Sequence, residues 1–354
     1  MGVGPSSPGS GPVDQPYIRP KFGGDEGATD SRLLRAAQAV WGDLCEDRRR
    51  DPSSPLVSVT RRGLVLFALM SVIWGIPYLF IRVVVAEVSP SFLVLARTSL
   101  AAVILLPIAL ARVDLRPILA RWRWVAAFAA IEIALPWVML GSAEQHLTSS
   151  LTGLLIAGVP LVGTVFALVT GGSERIGRAT WLGLLIGLVG VSAIVGADIG
   201  TSDPTAFLEV AVVVVCYAVG PAILARRLGG LRSIGVMALS LALSALVYVP
   251  IAALQWPATI PSPNVVASIV VLAVLCTAAG FLIFAALIDE VGPVRATVIT
   301  YVNPAVAAVL GVLVLSETLT VPMLLGFVLV ILGSALATRR EGEPRQAGAL
   351  VAEA

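Results

Sequence analysis

Apolar residues in this chain form long runs that are separated by short polar connections, from Leu64 to about Thr338. A helix that crosses the roughly 30 Å hydrocarbon core of a bilayer needs about 20 mostly apolar residues, because its backbone must satisfy its own hydrogen bonds there. The pattern predicts an all-α membrane protein with ten transmembrane helices. The predicted spans are residues 64–86, 91–111, 123–142, 150–170, 178–197, 206–225, 232–254, 265–287, 293–315 and 320–338.

The composition narrows the classes of function that remain. Of the 354 residues, 57% are hydrophobic and 13% are charged, which excludes an ordinary soluble protein. One histidine and three cysteines exclude a histidine-rich metal cluster and a disulfide framework. A net charge of +2 provides no basic stripe for nucleic acid. We therefore expect no metal, no cofactor and no nucleic-acid partner.

The basic residues indicate how the chain is oriented. Cytoplasmic loops of membrane proteins collect arginine and lysine. If the N-terminus is cytoplasmic, the arginines between spans fall in cytoplasmic connections, and the opposite loops carry Glu87, Glu144, Asp198, Asp203 and Glu317. We therefore expect both termini to be cytoplasmic.

Polar segments flank the apolar runs. Residues 1–60 begin with a Gly/Pro/Ser-rich stretch, and we expect a disordered cytoplasmic tail. Apolar residues recur at helical spacing between Leu33 and Leu44, which is typical of a short amphipathic helix on the inner leaflet or of a transient helix in a mobile tail. Residues 339–354 form a short C-terminal cytoplasmic tail.

The chain also repeats itself at an offset of 143 to 144 residues. Pro160 and Glu174 in the first copy correspond to Pro304 and Glu317 in the second. Residues 64–197 and 206–338 are therefore predicted to be two five-helix repeats. Because each repeat has an odd number of crossings, the second must be inverted relative to the first. Inverted repeats are typical of secondary transporters, which bind substrate near the midplane.

Several of these residues resemble those of a known family. They are Trp74-Gly75, Arg97, Pro160, Glu174, the segment 287–296, Pro304, Ser316-Glu317 and Gly326. Together they resemble the EamA-type members of the drug/metabolite transporter superfamily over about residues 64–338. The resemblance implies two inverted five-helix repeats around a central cavity. It also implies movement of small metabolites across the bacterial inner membrane, often as efflux. Ser316 stands where the family more usually has glycine before the glutamate.

Four ionisable residues inside predicted spans, Glu132, Arg97, Arg82 and Glu209, are candidates for a substrate or proton site. Such groups cost about 2.5–3.5 kcal/mol each at a helix centre, so they need a partner or a wet cavity. Glu132 lies near the middle of the third span, and Arg97 lies in the second at a depth from which its side chain could reach the carboxylate. The alternative is a structural ion pair between the two helices. We expect Glu209 to reach the outer surface from the sixth span.

Aromatic residues and a cation recur on one face of the first span. Trp74, Tyr78 and Arg82 stand at i, i+4 and i+8, so they share one broad helix face. This face either lines the cavity, with Arg82 attracting a carboxylate, or belongs to a membrane-interface belt.

Prolines in the fourth and ninth spans are candidates for helix breaks. Thr300, Tyr301 and Asn303 precede Pro304, and Pro160 occupies the equivalent place in the first copy. A proline frees an upstream carbonyl, and a broken helix at the midplane can expose polar backbone to substrate. Ordinary kinks are the alternative.

These observations favour a transporter over an enzyme. The leading hypothesis is a secondary exporter of small metabolites that works by alternating access, with proton coupling through Glu132. Arg82 and Arg97 favour amino-acid-like or otherwise carboxylated substrates. The alternatives are a lipid-acting membrane enzyme and a non-transporting scaffold that recruits partners through residues 1–60.

Overall fold

The computed structural model describes residues 60–170, 177–198, 203–291, 296 and 298–338. The predicted tails, 1–60 with its amphipathic helix and 339–354, lie outside the described residues except for Thr60. Glu174 also lies outside them.

The described part of the chain is helical, with no strand. Eight of its helices are long and apolar enough to cross a membrane, and two shorter apolar helices follow. They are α1 (Arg61–Val85), α2 (Pro90–Arg112), α3 (Trp122–Ala143), α4 (Ser149–Val169), α5 (Arg178–Gly196), α6 (Pro204–Arg227), α7 (Ser233–Ala253), α8 (Pro263–Val291), α9 (Ile299–Leu315) and α10 (Val321–Ala337). At 17 residues each, α9 and α10 rise about 26 Å. A one-turn helix, Arg116–Leu119, precedes α3.

Local capping residues set where many of the helices begin. The side chains of Ser89, Thr148, Ser262 and Thr320 each accept a hydrogen bond from a backbone N–H of the helix that follows. A cap of this kind contributes about 1 kcal/mol. Proline, which lacks the N–H that a first turn leaves unpaired, occupies the first position of α2, α6 and α8.

Two of the long helices contain π-helical segments at related places. The segment Ala129–Ala134 lies in α3, and Val271–Ala279 lies in α8. The two segments overlap when the first copy is shifted by the 144 residues that separate Pro160 from Pro304. Since π-helical segments often mark functional sites, they draw attention to this level of the bundle.

The two prolines expected to break helices behave differently. Helix α4 consists of Ser149–Ile156 and Val159–Val169, so it is interrupted just before Pro160. Helix α9 continues through Pro304 without interruption. Gly158 explains the difference, because glycine is a poor helix former and this one lies at the interruption in α4. Pro304 is instead flanked by asparagine and alanine.

Helix α1 is interrupted as well. It consists of Arg61–Ile73 and Pro77–Val85, and Trp74 lies in the gap between them. Tyr78 and Arg82 therefore lie on one segment of α1, and Trp74 lies at the end of the other.

The helices of the first copy pack against those of the second. Helix α2 packs on α7, α4 on α9, α5 on α10, α3 on α6, and α1 on α8. The contact between α5 and α10 is closest, because glycines face each other across it. A Cβ on Gly183 would lie 2.6 Å from the Gly333 carbonyl oxygen, and one on Gly190 would lie 2.6 Å from that of Gly326. Close backbone approach of this kind is a common way for membrane helices to associate.

Ser316, at the end of α9, has a backbone conformation that suits glycine. Its φ is 56°, in the left-handed region. Because a Cβ disfavours that region by about 1 kcal/mol, we expect Ser316→Gly to raise the midpoint of thermal unfolding in detergent. Ser316→Ala keeps the Cβ and should not. An unchanged or lower midpoint for the glycine variant would argue against strain at this position.

Candidate functional site

The Glu132 side chain lies in the π-helical segment of α3 and packs against α6. Its carboxylate occupies the space that a side chain at position 220 would fill, since a Cβ on Gly220 would overlap it. The Oε2 atom is fully buried and has no hydrogen-bond partner. A buried charge without a partner is costly, so this carboxyl group is suited to holding a proton or a cation.

Arg97 is fixed in place by α3 and α8. Its guanidinium carbon lies 3.7 Å from the centroid of the Trp137 ring, and its Nε donates to the Thr277 hydroxyl oxygen at 2.8 Å. Only 7% of the residue is exposed. A cation over an aromatic ring is stabilised electrostatically, which offsets part of the cost of burial. Among the described residues, Arg97 and Glu132 do not form the salt bridge that their depths allowed.

Tyr217 of α6 connects these two residues. It interacts electrostatically with both Glu132 and Arg97, and Tyr78 of α1 interacts with both Tyr217 and Arg97. A carboxyl group and a guanidinium group thus share one buried neighbourhood without pairing with each other. The sequence pattern did not indicate Tyr217 as a site residue.

Trp74 lies at the interruption of α1 and contacts α8. Its indole N–H donates to the Cys276 carbonyl oxygen at 3.2 Å, a carbonyl of the second π-helical segment. Its ring lies 4.7 Å from the Phe284 ring and 6.1 Å from the Phe281 ring, measured between centroids. Trp74 therefore helps to hold the interrupted part of α1 against α8.

The polar residues before Pro304 have different surroundings. With its amide nitrogen turned toward α1, Asn303 donates to the carbonyl oxygens of Ser71 and Ile299, each at 3.0 Å. The Tyr301 hydroxyl lies 3.4 Å from that of Thr338, and Thr300 is half-buried. Asn303 thus joins α9 to α1, which is a structural contact.

Arg82 and Glu209 point into the protein. Arg82 donates to the backbone carbonyl oxygen of Glu144, the residue that follows α3. One carboxylate oxygen of Glu209 accepts the Ser142 hydroxyl at 2.7 Å, and the other is buried. Its partner Ser142 lies next to the last residue of α3, and the expectation that Glu209 reaches the outer surface stays a prediction.

Hydrogen bonds join the connections that follow α1 and α7. Glu87 accepts the Ser262 N–H at 2.8 Å and its hydroxyl at 2.6 Å. These two bonds lower the pKa of Glu87. The Ser91 hydroxyl donates to the Gln255 side-chain oxygen at 2.8 Å. We call these contacts the loop clasp.

At the same end of the bundle, Glu317 caps helix α4. Its carboxylate accepts the N–H groups of Ser149 and Ser150 at 2.8 Å each, and both serine hydroxyls at 3.1 and 2.5 Å. A negative charge at a helix N-terminus is stabilising. Glu317 thereby joins the second copy to the first.

The opposite end of the bundle contains a small cavity of about 50 Å³. It lies between α2, α6, α7 and α8 and is lined by Leu105, Leu224, Ser233, Ile234, Met237, Phe281, Leu282, Phe284, Ala285 and Ile288. None of the eight candidate site residues from the sequence lines this cavity. Trp74 contacts two of the lining rings, those of Phe281 and Phe284.

Comparison with known proteins gives consistent matches. Residues 61–196 and 205–339 each match the model of the EamA-like transporter family. The "Uncharacterized inner membrane transporter YedA" of Escherichia coli K12 is 28% identical over 260 residues, which are 72% of this chain and 83% of that protein. The "Uncharacterized transporter YvbV" of Bacillus subtilis 168 is 22% identical over 278 residues, 76% of this chain and 89% of that protein. A solved crystal structure has a TM-score of 0.56 at 22% identity, covers 78% of this chain and 96% of that one, and shows a similar fold.

Proposed function

Because the chain belongs to the EamA-like transporter family, we propose that it is a secondary transporter that exports small metabolites across the bacterial inner membrane. One observation carries the proposal beyond the family. Arg97 is buried, Glu132 has one fully buried carboxylate oxygen, both residues interact with Tyr217, and they do not pair with each other. Unpaired opposite charges inside a membrane protein mark a pathway for a substrate or an ion.

We propose an architecture of ten crossings in two inverted repeats, 64–197 and 206–338, with both termini cytoplasmic. The helix pairing supports it. A two-fold axis that exchanges the copies maps the pairs α2–α7, α4–α9 and α5–α10 onto themselves. The same axis exchanges α3–α6 with α8–α1. Five crossings per copy place that axis in the membrane plane.

The proposed substrate is an amino-acid-like metabolite. Arg97, held by Trp137 and Thr277, is oriented to bind a carboxylate. Glu132 can accept either the substrate's ammonium group or a proton, and these two cations compete for one carboxylate. Because only one of them can be bound at a time, outward movement of the substrate is coupled to inward movement of a proton.

The proposed transport cycle starts from an inward-facing arrangement. The small apolar cavity of about 50 Å³ lies at the end where α7 begins and α8 ends, and we assign this end to the cytoplasm. The loop clasp and Glu317 close the other end. Export then requires that the cytoplasmic end first widens to admit the substrate to Arg97 and Glu132, and that the clasp between Glu87 and Ser262 opens once that end has closed again.

The proposed function is tested by comparing metabolites in cells and medium. Strains carry the parent protein, an empty vector or Arg97→Ala at equal membrane abundance. We expect small carboxylated metabolites to move from cells to medium with the parent only. If only bulky hydrophobic cations change their distribution, the proposed substrate class is wrong. If nothing changes, the proposed export is wrong.

Arg97→Lys is expected to raise the half-saturation concentration of the exported metabolite about tenfold, the effect of losing about 1.4 kcal/mol of binding. Lysine is a point charge and cannot both stack on Trp137 and donate to Thr277 as the planar guanidinium does. Arg116→Lys, at an exposed connection, is the matched control. Transport kinetics in proteoliposomes provide the comparison, and an unchanged value for Arg97→Lys would exclude Arg97 from substrate binding.

A further inference from the structure

Glu144, the residue that follows α3, has a carboxyl group that the proposed cycle does not yet use. It is 0% exposed, and neither of its carboxylate oxygens has a hydrogen-bond partner. The adjacent Arg82 donates to the backbone carbonyl of Glu144 and not to its carboxylate. A polar group this deeply buried normally has a partner, so its isolation calls for an explanation.

The groups that face Glu144 come from three parts of the bundle. Tyr78 and Arg82 approach from α1, Arg97 from α2, and Glu317 from the connection after α9. Burial raises the pKa of Glu144 well above its usual value, and the Glu317 charge raises it further, whereas Arg82 and Arg97 lower it. In this closed arrangement a proton on Glu144 explains how the carboxyl group tolerates its surroundings.

A series of polar residues connects Glu144 with Glu132. Glu144 interacts electrostatically with Arg97 and Tyr78, and both of these interact with Tyr217, which interacts with Glu132. The two glutamates lie twelve residues apart on one helix, which corresponds to about 18 Å along its axis. The series therefore extends from the middle of α3 to its loop end.

We propose that Glu144 is the external proton-binding site of this transporter, and that its protonation allows the loop-clasp end to close. The proposal rests on the proposed function, because it supplies the proton that Glu132 exchanges for substrate. When the clasp opens, water and the Arg82 guanidinium reach the carboxylate and stabilise its ionised form. When a proton binds, the carboxyl group can be buried again.

The direction of the pH effect follows from linkage. The closed arrangement binds a proton on Glu144 more tightly than the open one does, so low external pH favours closure. As the pH rises above the usual pKa of a glutamate toward the raised value, the open arrangement ionises first and becomes favoured. An acidic exterior therefore protonates Glu144 and favours closure of the loop-clasp end. Proton-driven export requires this order, because the proton must bind from outside before that end closes.

Infrared spectroscopy tests whether Glu144 holds a proton. The purified parent protein is titrated with pH, and the carbonyl stretching band of protonated carboxyl groups is compared with that of Glu144→Gln. We expect the parent to show an additional band that persists above the pH at which an exposed glutamate ionises. Asp114→Asn, at an exposed carboxylate outside the loop clasp, is the control and should keep the band. If the band is the same in the parent and in Glu144→Gln, the proposal is overturned.

Distances between spin labels test the link to closure, without any ligand. Labels are placed at Ala86 and Ile260, two exposed loop positions, the second 94% exposed. The parent should shift to longer distances as pH rises, whereas Glu144→Gln should keep the short distance throughout. A parent that does not respond to pH, or a Gln variant that responds equally, overturns the proposal. If the infrared band and the label distances behave as expected but no metabolite is exported, Glu144 is still a proton-binding site and the proposed export function is wrong.

Discussion

Replacing Glu132 by Gln is expected to abolish proton-driven accumulation of substrate while leaving residual exchange. Glutamine preserves the size and polarity of the side chain against Gly220 but cannot bind and release a proton. For one proton per substrate, a gradient of one pH unit supports about a tenfold concentration ratio. In proteoliposomes the parent should approach that ratio, and the variant should stop at equal concentrations inside and outside.

Glu209→Gln is the matched control for this experiment. Glu209 is also a carboxylate on a membrane helix, but one of its oxygens accepts a hydrogen bond from Ser142, which glutamine can also accept. It should respond to the pH gradient as the parent does. If Glu132→Gln also responds fully, the coupling proton uses another group.

Replacing Gly333 by Val is expected to prevent the protein from folding stably. A side chain there would meet the Gly183 carbonyl oxygen at 2.6 Å, and backbone atoms cannot move aside as a flexible side chain can. The two helices would have to separate, which removes the closest contact between the copies. We expect little monodisperse protein by size-exclusion chromatography after extraction in mild detergent.

Gly163→Val provides the matched control, because a Cβ at Gly163 has nothing within 4 Å. It tests whether a larger, β-branched side chain in an apolar helix is itself harmful. A Gly333→Val protein that elutes like the parent would contradict the backbone-to-backbone packing of α5 on α10.

Hydropathy predicts the helices of this protein well because the length of an apolar run is set by the thickness of the bilayer. For the described helices, most predicted ends agree with the structure to within about three residues. The largest difference is at the end of α8; the predicted start of α9, at residue 293, lies outside the described residues. Helix α8 continues to Val291, where Glu290 accepts the Thr60 hydroxyl at 2.5 Å and lies 3.9 Å from Arg62. These polar contacts extend a helix beyond its apolar part.

The partners of the site residues could not be predicted in the same way. Membrane helices are apolar on nearly every face, so hydropathy does not say which side of a helix faces which neighbour. Counting residues along the helices places Arg97 within reach of Glu132, but the count does not give the direction of either side chain. In the structure the Arg97 guanidinium group contacts Trp137 and Thr277. The π-helical segments also change the direction in which the residues around Glu132 face. The amino-acid composition does not indicate where such segments occur.

Glu144 shows the same limit at the end of a helix. Its place in a polar tripeptide with Gln145 and His146 indicates a solvated loop, yet it is fully buried. Arg82 from α1 donates to its backbone carbonyl oxygen at the end of α3. That contact depends on the tertiary arrangement of two helices and has no counterpart in the local sequence.

Proton movement caused by substrate is the most direct test of the central claim that one buried site exchanges protons for metabolite. Proteoliposomes contain a pH-sensitive dye, and the metabolite identified in the export experiment is added outside without an imposed gradient. We predict that its entry drives protons out, so the interior becomes alkaline with the parent and stays unchanged with Glu132→Gln. Substrate entry without a proton signal in the parent, or an undiminished signal in Glu132→Gln, would contradict the account.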